Sequence, residues 1–167
     1  MLTLTLINFL TYFSIAWGAN IALNLLYVLK RYFPETRNWD YPMDCYLRYR
    51  GERLIGDSVT FLGLIVSIIL STALYLETGV IMWAIIPLLV HLGDLLGSFT
   101  KRRFHKKNGE YLPLVDHGNY MILLGIVFVL AGYADLGFVL LALLITYILH
   151  PIACYLAFKL KLRKNPY

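Results

Sequence analysis

Charged residues are scarce in this chain. They make up 15% of its 167 residues, against roughly 25% in soluble globular domains. Hydrophobic residues make up 59%, and a soluble fold of this length could not bury so much apolar side-chain surface. The composition therefore excludes an ordinary soluble domain and favours an integral membrane protein.

Cysteine is also scarce. Cys45 lies in a basic loop and Cys154 in a hydrophobic segment, and two thiols so placed indicate neither a disulfide framework nor a metal-binding pattern. The N-terminus lacks the basic start of a cleavable signal peptide, and its apolar stretch is too long for one. We therefore expect the first apolar stretch to be a membrane helix.

Long apolar stretches are what the chain does have. A membrane helix needs about 20 mostly apolar residues to cross a hydrocarbon core of about 30 Å. Five stretches qualify, and they cover residues 1 to about 29, 58–76, 79–99, 118–134 and 136–158. Strands are excluded, because an open sheet edge cannot be hydrogen-bonded in lipid and five spans do not make an ordinary barrel. The sequence predicts an all-α membrane protein with about five transmembrane helices.

The two short turns within the predicted helical hairpins contain no lysine or arginine. All 15 basic residues lie in the two long loops and at the C-terminal end. The positive-inside rule then places these loops and the C-terminus in the cytoplasm and the N-terminus outside. We expect a single membrane domain over residues 1–167, with basic cytoplasmic loops at about 30–57 and 100–117. Because this asymmetry explains the net charge of +5, the charge does not indicate nucleic-acid binding.

Polar residues gather where the third predicted helix reaches the cytoplasm. One helical face carries residues at steps of three and four, namely His91, Asp94, Ser98 and Lys101. Asp94 precedes Lys101 by seven residues, which places it about 10 Å deeper at 1.5 Å per residue. A carboxylate at that depth is costly, and it marks a functional site or a charge partner that holds helices together. Both interpretations stay open on the residues alone.

A second carboxylate follows in the next loop. Asp116 lies just before the fourth predicted helix, so it could be a helix N-cap. Two aspartates flanking a basic run are also what a magnesium–triphosphate site requires, since carboxylates bind the cation and Lys or Arg neutralises the phosphates. The run Lys101-Arg102-Arg103 could equally reflect topology and contact with anionic headgroups.

Two further features have simple alternatives. The glycines of the first loop allow close approach to a phosphate, but the loop matches no Walker pattern, and a flexible connector also fits. His150 precedes Pro151 in the fifth predicted helix. A satisfied histidine at a kink is the preferred interpretation there, and a pocket residue is the other.

Together these segments resemble the CDP-archaeol synthase family, and more distantly the phosphatidate cytidylyltransferases. The central match comprises Gly93-Asp94, Ser98-Phe99, Lys101-Arg102-Arg103, Gly109, Pro113 and Asp116. The first loop is similar to the family's at Pro42, Asp44, Gly51, Gly56, Asp57, Thr60 and Gly63, and the first helix at Ala19-Asn20. The resemblance covers nearly the whole chain.

The resemblance implies a multi-pass enzyme of the cell membrane. Such an enzyme transfers a cytidylyl group from CTP to a lipid phosphate of the bilayer and releases pyrophosphate, with Mg²⁺ as its cofactor. The implied metal ligands are Asp94 and Asp116, with Asn119 as a further candidate, and Lys101 completes the implied catalytic set. The implied nucleotide-binding residues are Ser98, Lys101, Arg102, Arg103, Asp44, Gly56, Asp57 and Thr60.

Two positions depart from the family pattern. Val59 stands where the family usually has lysine, and Asn119 stands where it usually has a second aspartate. These departures keep open a diverged member that binds a nucleotide or phospholipid without catalysis. A small transporter or assembly subunit, with Asp94 and His91 on an ion path, is the other alternative. Charges clustered at one face favour phosphate chemistry over such a path, which needs polar groups through the full thickness.

Overall fold

Six helices and one short strand pair make up the part of the chain that the structure describes. A computed structural model describes residues 5–33, 35, 40–107 and 110–162. Its helices are α1 (Leu6–Tyr32), α2 (Phe61–Thr78), α3 (Ile81–Ala84), α4 (Ile86–Arg103), α5 (Pro113–Leu130) and α6 (Leu136–Lys159). The strands β1 (Arg48–Tyr49) and β2 (Glu52–Arg53) pair antiparallel in the loop between α1 and α2.

Five segments of this structure are long and apolar enough to cross a membrane. They are α1, α2, α3 together with α4, α5, and α6. At most half of any span is buried inside the protein, as expected of helices whose outer faces meet lipid. The prediction of an all-α membrane protein with five spans is therefore confirmed. The side of the membrane on which each terminus lies stays a prediction.

Several helix ends differ from the predicted ones. α5 already begins at Pro113, because proline suits the first helical turn, where its missing N–H has no partner to lose. The third span begins with the short α3, and the single residue Ile85 separates α3 from α4 within that span. α4 continues to Arg103, so the run Lys101-Arg102-Arg103 forms its last turn instead of a loop. Cations are favoured there by the helix dipole.

The predicted tight hairpin turns are stabilised by local capping. α2 ends at Gly79, whose φ of 65° is left-handed, a conformation that glycine adopts without steric cost. Asp135 accepts a hydrogen bond from the N–H of Phe138 at 2.7 Å and so caps α6. Both turns lie at the end of the bundle opposite the basic loops.

Aromatic side chains fill the core at that same distant end. Tyr12 of α1 lies edge-on to Phe128 of α5 and Phe138 of α6, with ring centroids 5.0 and 5.2 Å apart. All three side chains are fully buried, and aromatic pairs in this geometry stabilise a packed interior. The apolar core thus leaves the opposite, basic end of the bundle to polar residues.

α4 and α5 cross with their backbones close together, and two glycines allow it. A Cβ placed on Gly93 would lie 2.4 Å from the Cα of Tyr120, and one on Gly97 would lie 2.5 Å from the Asn119 side-chain nitrogen. Glycines four residues apart lie on one helical face and permit such contacts between membrane helices. The crossing brings the α4 residue between them, Asp94, next to α5.

Candidate functional site

Two carboxylates lie at the α4–α5 crossing, toward the basic end of the bundle. Asp94 Oδ1 accepts a hydrogen bond from Asn119 Nδ2 at 3.1 Å. Nearer the loop, Lys101 Nζ lies 2.6 Å from Asp116 Oδ1. Because Asn119 follows Asp116 by three residues and Lys101 follows Asp94 by two helical turns, the two contacts stack along the same interface. The structure therefore brings together these four predicted site residues.

Asp94 forms no ion pair with a lysine within the described residues, although a charge pair was one of its two open interpretations. Lys101 is bonded to Asp116 instead. Within the described residues, Asn119 is the only side chain that donates a hydrogen bond to the Asp94 carboxylate. The described residues donate no hydrogen bond to the second oxygen of Asp94. The structure thus gives Asp94 an amide as its hydrogen-bond partner, and Lys101 forms its ion pair with Asp116.

Asp116 provides a hydrogen-bond acceptor for a backbone N–H at the start of α5, but it is not the N-cap residue. The N-cap residue is Leu112, and Asp116 Oδ2 accepts a hydrogen bond from the Leu112 N–H at 2.6 Å. The carboxylate reaches back one turn to a backbone donor that the helix itself leaves free. The N-cap interpretation is wrong in position. The Asp116 side chain keeps 22% of its surface exposed, so it stays accessible to a ligand.

The donors at this crossing suit a hard divalent cation. Carboxylate oxygens are what Mg²⁺ and Ca²⁺ prefer, and Asp94 and Asp116 offer them. Asn119 turns its amide nitrogen to Asp94, and its amide oxygen accepts a hydrogen bond from the Tyr120 N–H at 2.8 Å. Within the described residues no group of three or more Asp, Glu, His or Cys side chains lies close enough together to hold a metal ion. A metal here would therefore take its remaining ligands from water and substrate phosphates, as Mg²⁺ commonly does.

Ser98 connects this crossing to the first loop. Its hydroxyl lies 3.3 Å from the hydroxyl of Ser58, a residue that the sequence did not single out. Ser98 itself is buried, one turn after Asp94 on α4. The pair places the start of α2 beside the polar face of α4.

Asp44 lies inside the first loop, and its carboxylate is surrounded by donors. The side chain is 0% exposed, and Arg53 donates to it from Nε at 3.0 Å and from Nη2 at 2.6 Å. Backbone N–H groups of Tyr46, Ile55 and Gly56 donate at 3.0 to 3.1 Å. Burial alone would raise the pKa of Asp44, but the Arg53 guanidinium and these N–H groups hold it well below its usual range.

Arg102 turns its guanidinium toward loop backbone. The residue is 5% exposed, and its Nε donates to the Ile55 carbonyl at 3.1 Å. The same guanidinium donates to the carbonyl of Lys106. Arg102 thus ties the end of α4 both to the first loop and to the segment that follows α4.

Arg103 also contacts the first loop. Its Nη2 donates to the Arg53 carbonyl at 3.1 Å, and its guanidinium lies over the rings of Tyr49 and Phe99, 5.4 and 5.1 Å from their centroids. Among the three consecutive cations, Lys101 therefore pairs with Asp116. Arg102 and Arg103 bind the loop.

The other predicted residues of the first loop have local partners. Thr60 is buried and caps α2, its hydroxyl accepting from the Gly63 N–H at 3.3 Å. Gly56 has a φ of 102°, a conformation that favours glycine. Asp57 is 63% exposed and pairs with Arg53 at 3.0 Å. Val59 is 4% exposed, so a lysine at that position would begin inside the protein.

His91 does not face Asp94, although helical spacing predicted one shared face. Its Nε2 lies 3.1 Å from the sulfur of Met43, and a Cβ on Gly63 would lie 2.9 Å from its ring. His91 therefore packs between α4, α2 and the first loop. This arrangement does not favour an ion path through His91 and Asp94.

A second polar cluster joins the start of α5 to α6. His117 Nδ1 lies 2.8 Å from His150 Nδ1, and His117 Nε2 lies 2.5 Å from the Tyr111 hydroxyl. Cys154 Sγ lies 3.5 Å from His150 Nδ1. His150 is hydrogen-bonded, as the interpretation of a satisfied histidine requires, and the kink at Pro151 stays a prediction. The contact with His117 was missed, and polar residues in apolar helices were its only signal in the sequence.

Ala19 and Asn20 are both buried in α1, and Asn20 accepts a hydrogen bond from Asn24 at 2.6 Å. Gly109, the remaining glycine of the predicted α4–α5 pattern, lies outside the described residues.

Comparisons with known proteins agree with the resemblance. The family profile described as CarS-like, CDP-archaeol synthase, matches residues 40–167. The chain is 29% identical to the CDP-archaeol synthase of Pyrobaculum aerophilum, over 81% of this chain and 87% of that protein. It is 32% identical to the CDP-archaeol synthase of Thermofilum pendens, over 92% of this chain and 85% of that protein. The search of solved structures gives no significant match.

Proposed function

Because the chain belongs to the CDP-archaeol synthase family, we propose that the α4–α5 crossing is the catalytic centre of a cytidylyl transfer. The protein is a multi-pass membrane enzyme that uses CTP to convert a lipid phosphate into a CDP-lipid. Enzymes of this family generally use a divalent metal ion. We assign Mg²⁺ to that role, with Asp94 and Asp116 as its protein ligands.

The observation that carries this assignment is the geometry of the crossing. Asp94 and Asp116 come from facing helices, and each keeps capacity for a further ligand. The Lys101 Nζ lies 2.6 Å from the Asp116 Oδ1, so the positively charged ammonium group of this lysine already lies beside that carboxylate. The crossing thus combines metal-binding oxygens with a lysine that can meet a phosphate.

The transfer itself needs little acid–base chemistry. A lipid phosphate is already an anion near neutral pH, so one of its oxygens can attack the α-phosphorus of CTP directly. The new P–O bond forms as the bond to the β-phosphate oxygen breaks, and pyrophosphate leaves. When bound, Mg²⁺ supplies positive charge to the triphosphate as charge develops on the leaving group.

Lys101 changes its partner during this reaction. In the resting site it neutralises Asp116. Asp116 would be a ligand of the bound metal, and Lys101 would then meet the triphosphate and stabilise the leaving pyrophosphate. Asn119 holds Asp94 in one orientation through the bond at 3.1 Å, and Ser98 orients the nucleotide beside it. The bilayer supplies the lipid phosphate sideways, and CTP enters from the side of the basic loops.

The test is a direct assay of the purified protein with MgCl₂, labelled CTP and a panel of ether- and ester-linked lipid phosphates. We expect labelled CDP-lipid and pyrophosphate. Asp94→Asn and Asp116→Asn should each abolish the reaction, since they keep shape but remove the charge that binds the metal. Glu77→Gln is the matched control, because it neutralises an exposed carboxylate at the opposite end of the bundle. Full activity in both aspartate variants would refute the metal assignment.

A further inference from the structure

The Asp44 carboxylate has no lone pair left to bind a ligand. Its two oxygens accept five hydrogen bonds, two from Arg53 and three from backbone N–H groups. Two carboxylate oxygens offer about four lone-pair sites, so these donors saturate the group. Direct contact between Asp44 and a metal or nucleotide would require breaking this network.

The donors to Asp44 fix one short stretch of the loop. Arg53 is held by its side chain, and Ile55 and Gly56 are held by their N–H groups at 3.0 Å. Residues 53–56 are thereby clamped at both ends against a carboxylate that is itself buried. The buried, charged hydrogen bonds are strong because little water competes for the same donors.

The same stretch supplies the carbonyls that bind the end of α4. Ile55 receives Arg102 Nε at 3.1 Å, and Arg53 receives Arg103 Nη2 at 3.1 Å. The partners are 47 and 50 residues apart in the sequence, so these bonds join the first loop to the third span. Lys101, which faces Asp116, immediately precedes the two arginines on the same helical turn.

We propose that Asp44 is a positioning residue that acts on the catalytic site through Arg102 and Arg103. Asp44 fixes residues 53–56 by hydrogen bonds, and the carbonyls of Arg53 and Ile55 accept hydrogen bonds from the two arginines. The arginines thereby fix the orientation of the end of α4, and with it the direction of the Lys101 side chain. This inference rests on the proposed function, since Lys101 is its endpoint. It places Asp44 in the support of the triphosphate site and outside the set of groups that touch CTP.

The first measurement tests whether Asp44 holds the loop, and it requires no activity. Trypsin must draw the Arg53 side chain into its own pocket, so Arg53 has to leave Asp44 before cleavage. In Asp44→Ala we expect cleavage after Arg53 to accelerate about tenfold or more, because proteolysis follows the population of the open loop. Mass spectrometry of the purified full-length protein would measure the rate of cleavage after Arg53, with cleavage after Lys161 as the reference.

The second measurement separates positioning from general stability. Asp44→Ala should raise the KM for CTP by about tenfold while the KM for the lipid phosphate changes by less than about twofold. Glu52→Gln removes an exposed carboxylate of the same hairpin, which lies 3.7 Å from His105, and should alter neither constant. A merely structural role would lower the melting temperature and the active fraction without this selective effect on CTP.

A second variant keeps the test decisive if Asp44→Ala folds poorly. Arg102→Met removes the hydrogen bond to the Ile55 carbonyl but keeps an apolar side chain of similar length. It should raise the KM for CTP by a similar factor. The double variant should be no worse than either single variant, because both break one chain of contacts. Unchanged cleavage, an unchanged KM for CTP, or additive effects would each overturn the proposal. A wild-type protein that forms no CDP-lipid would instead refute the proposed function.

Discussion

Lys101 of α4 pairs with Asp116 of α5 at 2.6 Å, across the helix interface, and not with Asp94 of its own helix. The pair neutralises a carboxylate that the proposed reaction needs for a metal. In the proposed reaction Lys101 and the metal would therefore compete for Asp116 until CTP offers the lysine another anion. The competition gives the lysine two effects of opposite sign, and they can be measured separately.

Replacing Lys101 should strengthen metal binding and weaken catalysis. In Lys101→Met, Asp116 has lost its internal cation, so Mn²⁺ used as a probe should bind more tightly without CTP. The kcat for CTP-dependent transfer should fall about 10²- to 10³-fold, as when one group that stabilises developing charge is removed. Mn²⁺ titration by electron paramagnetic resonance and a steady-state assay measure the two effects. Weaker Mn²⁺ binding in the variant would contradict the competition.

Asn119→Asp should make the fold more dependent on metal. Asn119 now donates to Asp94 at 3.1 Å, and a carboxylate in its place would put two negative charges against each other. We expect a lower melting temperature in EDTA and a larger increase on adding Mg²⁺ than in the wild type, since a ligand that binds only the folded state stabilises it. Equal Mg²⁺-induced shifts in the two proteins would count against Asn119 as a neighbour of the metal.

Gly97→Ala should damage the site through packing alone. The added Cβ would lie 2.5 Å from the Asn119 side-chain nitrogen, so Asn119 or the helix must move. Overpacking of this kind costs about 1–3 kcal/mol, and we expect lower thermal stability together with a loss of activity. Gly18→Ala is the control, because a Cβ at Gly18 meets nothing within 4 Å. Wild-type activity in Gly97→Ala would show that the Asn119 position is unimportant.

The stabilisation of the folded protein by the Asp44 charge should be lost only at acidic pH. Its pKa is lowered in the folded protein, so its charge stabilises the fold above the unfolded-state pKa of about 3.9. That stability is lost as the pH falls toward the lower folded-state pKa. The difference in melting temperature between the wild type and Asp44→Asn should stay constant between about pH 7 and pH 5 and narrow below about pH 4. A difference that narrows already between those two higher values would contradict the lowered pKa.

The orientation in the membrane can be tested with single cysteines. In a background without Cys45 and Cys154, a cysteine at Glu77 should react with an impermeant maleimide from outside intact cells. A cysteine at Lys106 should react only after permeabilisation, because the positive-inside rule places that loop in the cytoplasm. External labelling at Lys106 would reverse the predicted topology.

Local sequence patterns predicted the spans and much of the α4–α5 site. Apolar length identified all five spans, and helical spacing placed Asp94, Ser98 and Lys101 on one side of α4. The ion-pair partner of each charged residue in the site was not predictable from these patterns. Lys101 could reach a carboxylate on its own helix or on the next one, and only the glycine-dependent crossing of α4 and α5 decides between them.

The first loop was the least predictable part of the site. The resemblance to the family assigns both Asp44 and Arg102 to the nucleotide. Arg102 instead meets a carbonyl 47 residues away, a contact that depends on how the loop folds back onto α4. Backbone carbonyls are present at every residue, so a sequence offers no pattern that singles out the one at Ile55.

The glycine crossing also bears on how the enzyme responds to the bilayer around it. Helices accommodate thicker or thinner membranes mainly by tilting, and tilting changes distances between neighbours that move separately. α4 and α5 are in backbone contact at Gly93, so they must tilt as one body. We expect the spacing between Asp94 and Asp116 to change little with bilayer thickness, so the proposed site keeps one geometry in membranes of different thickness.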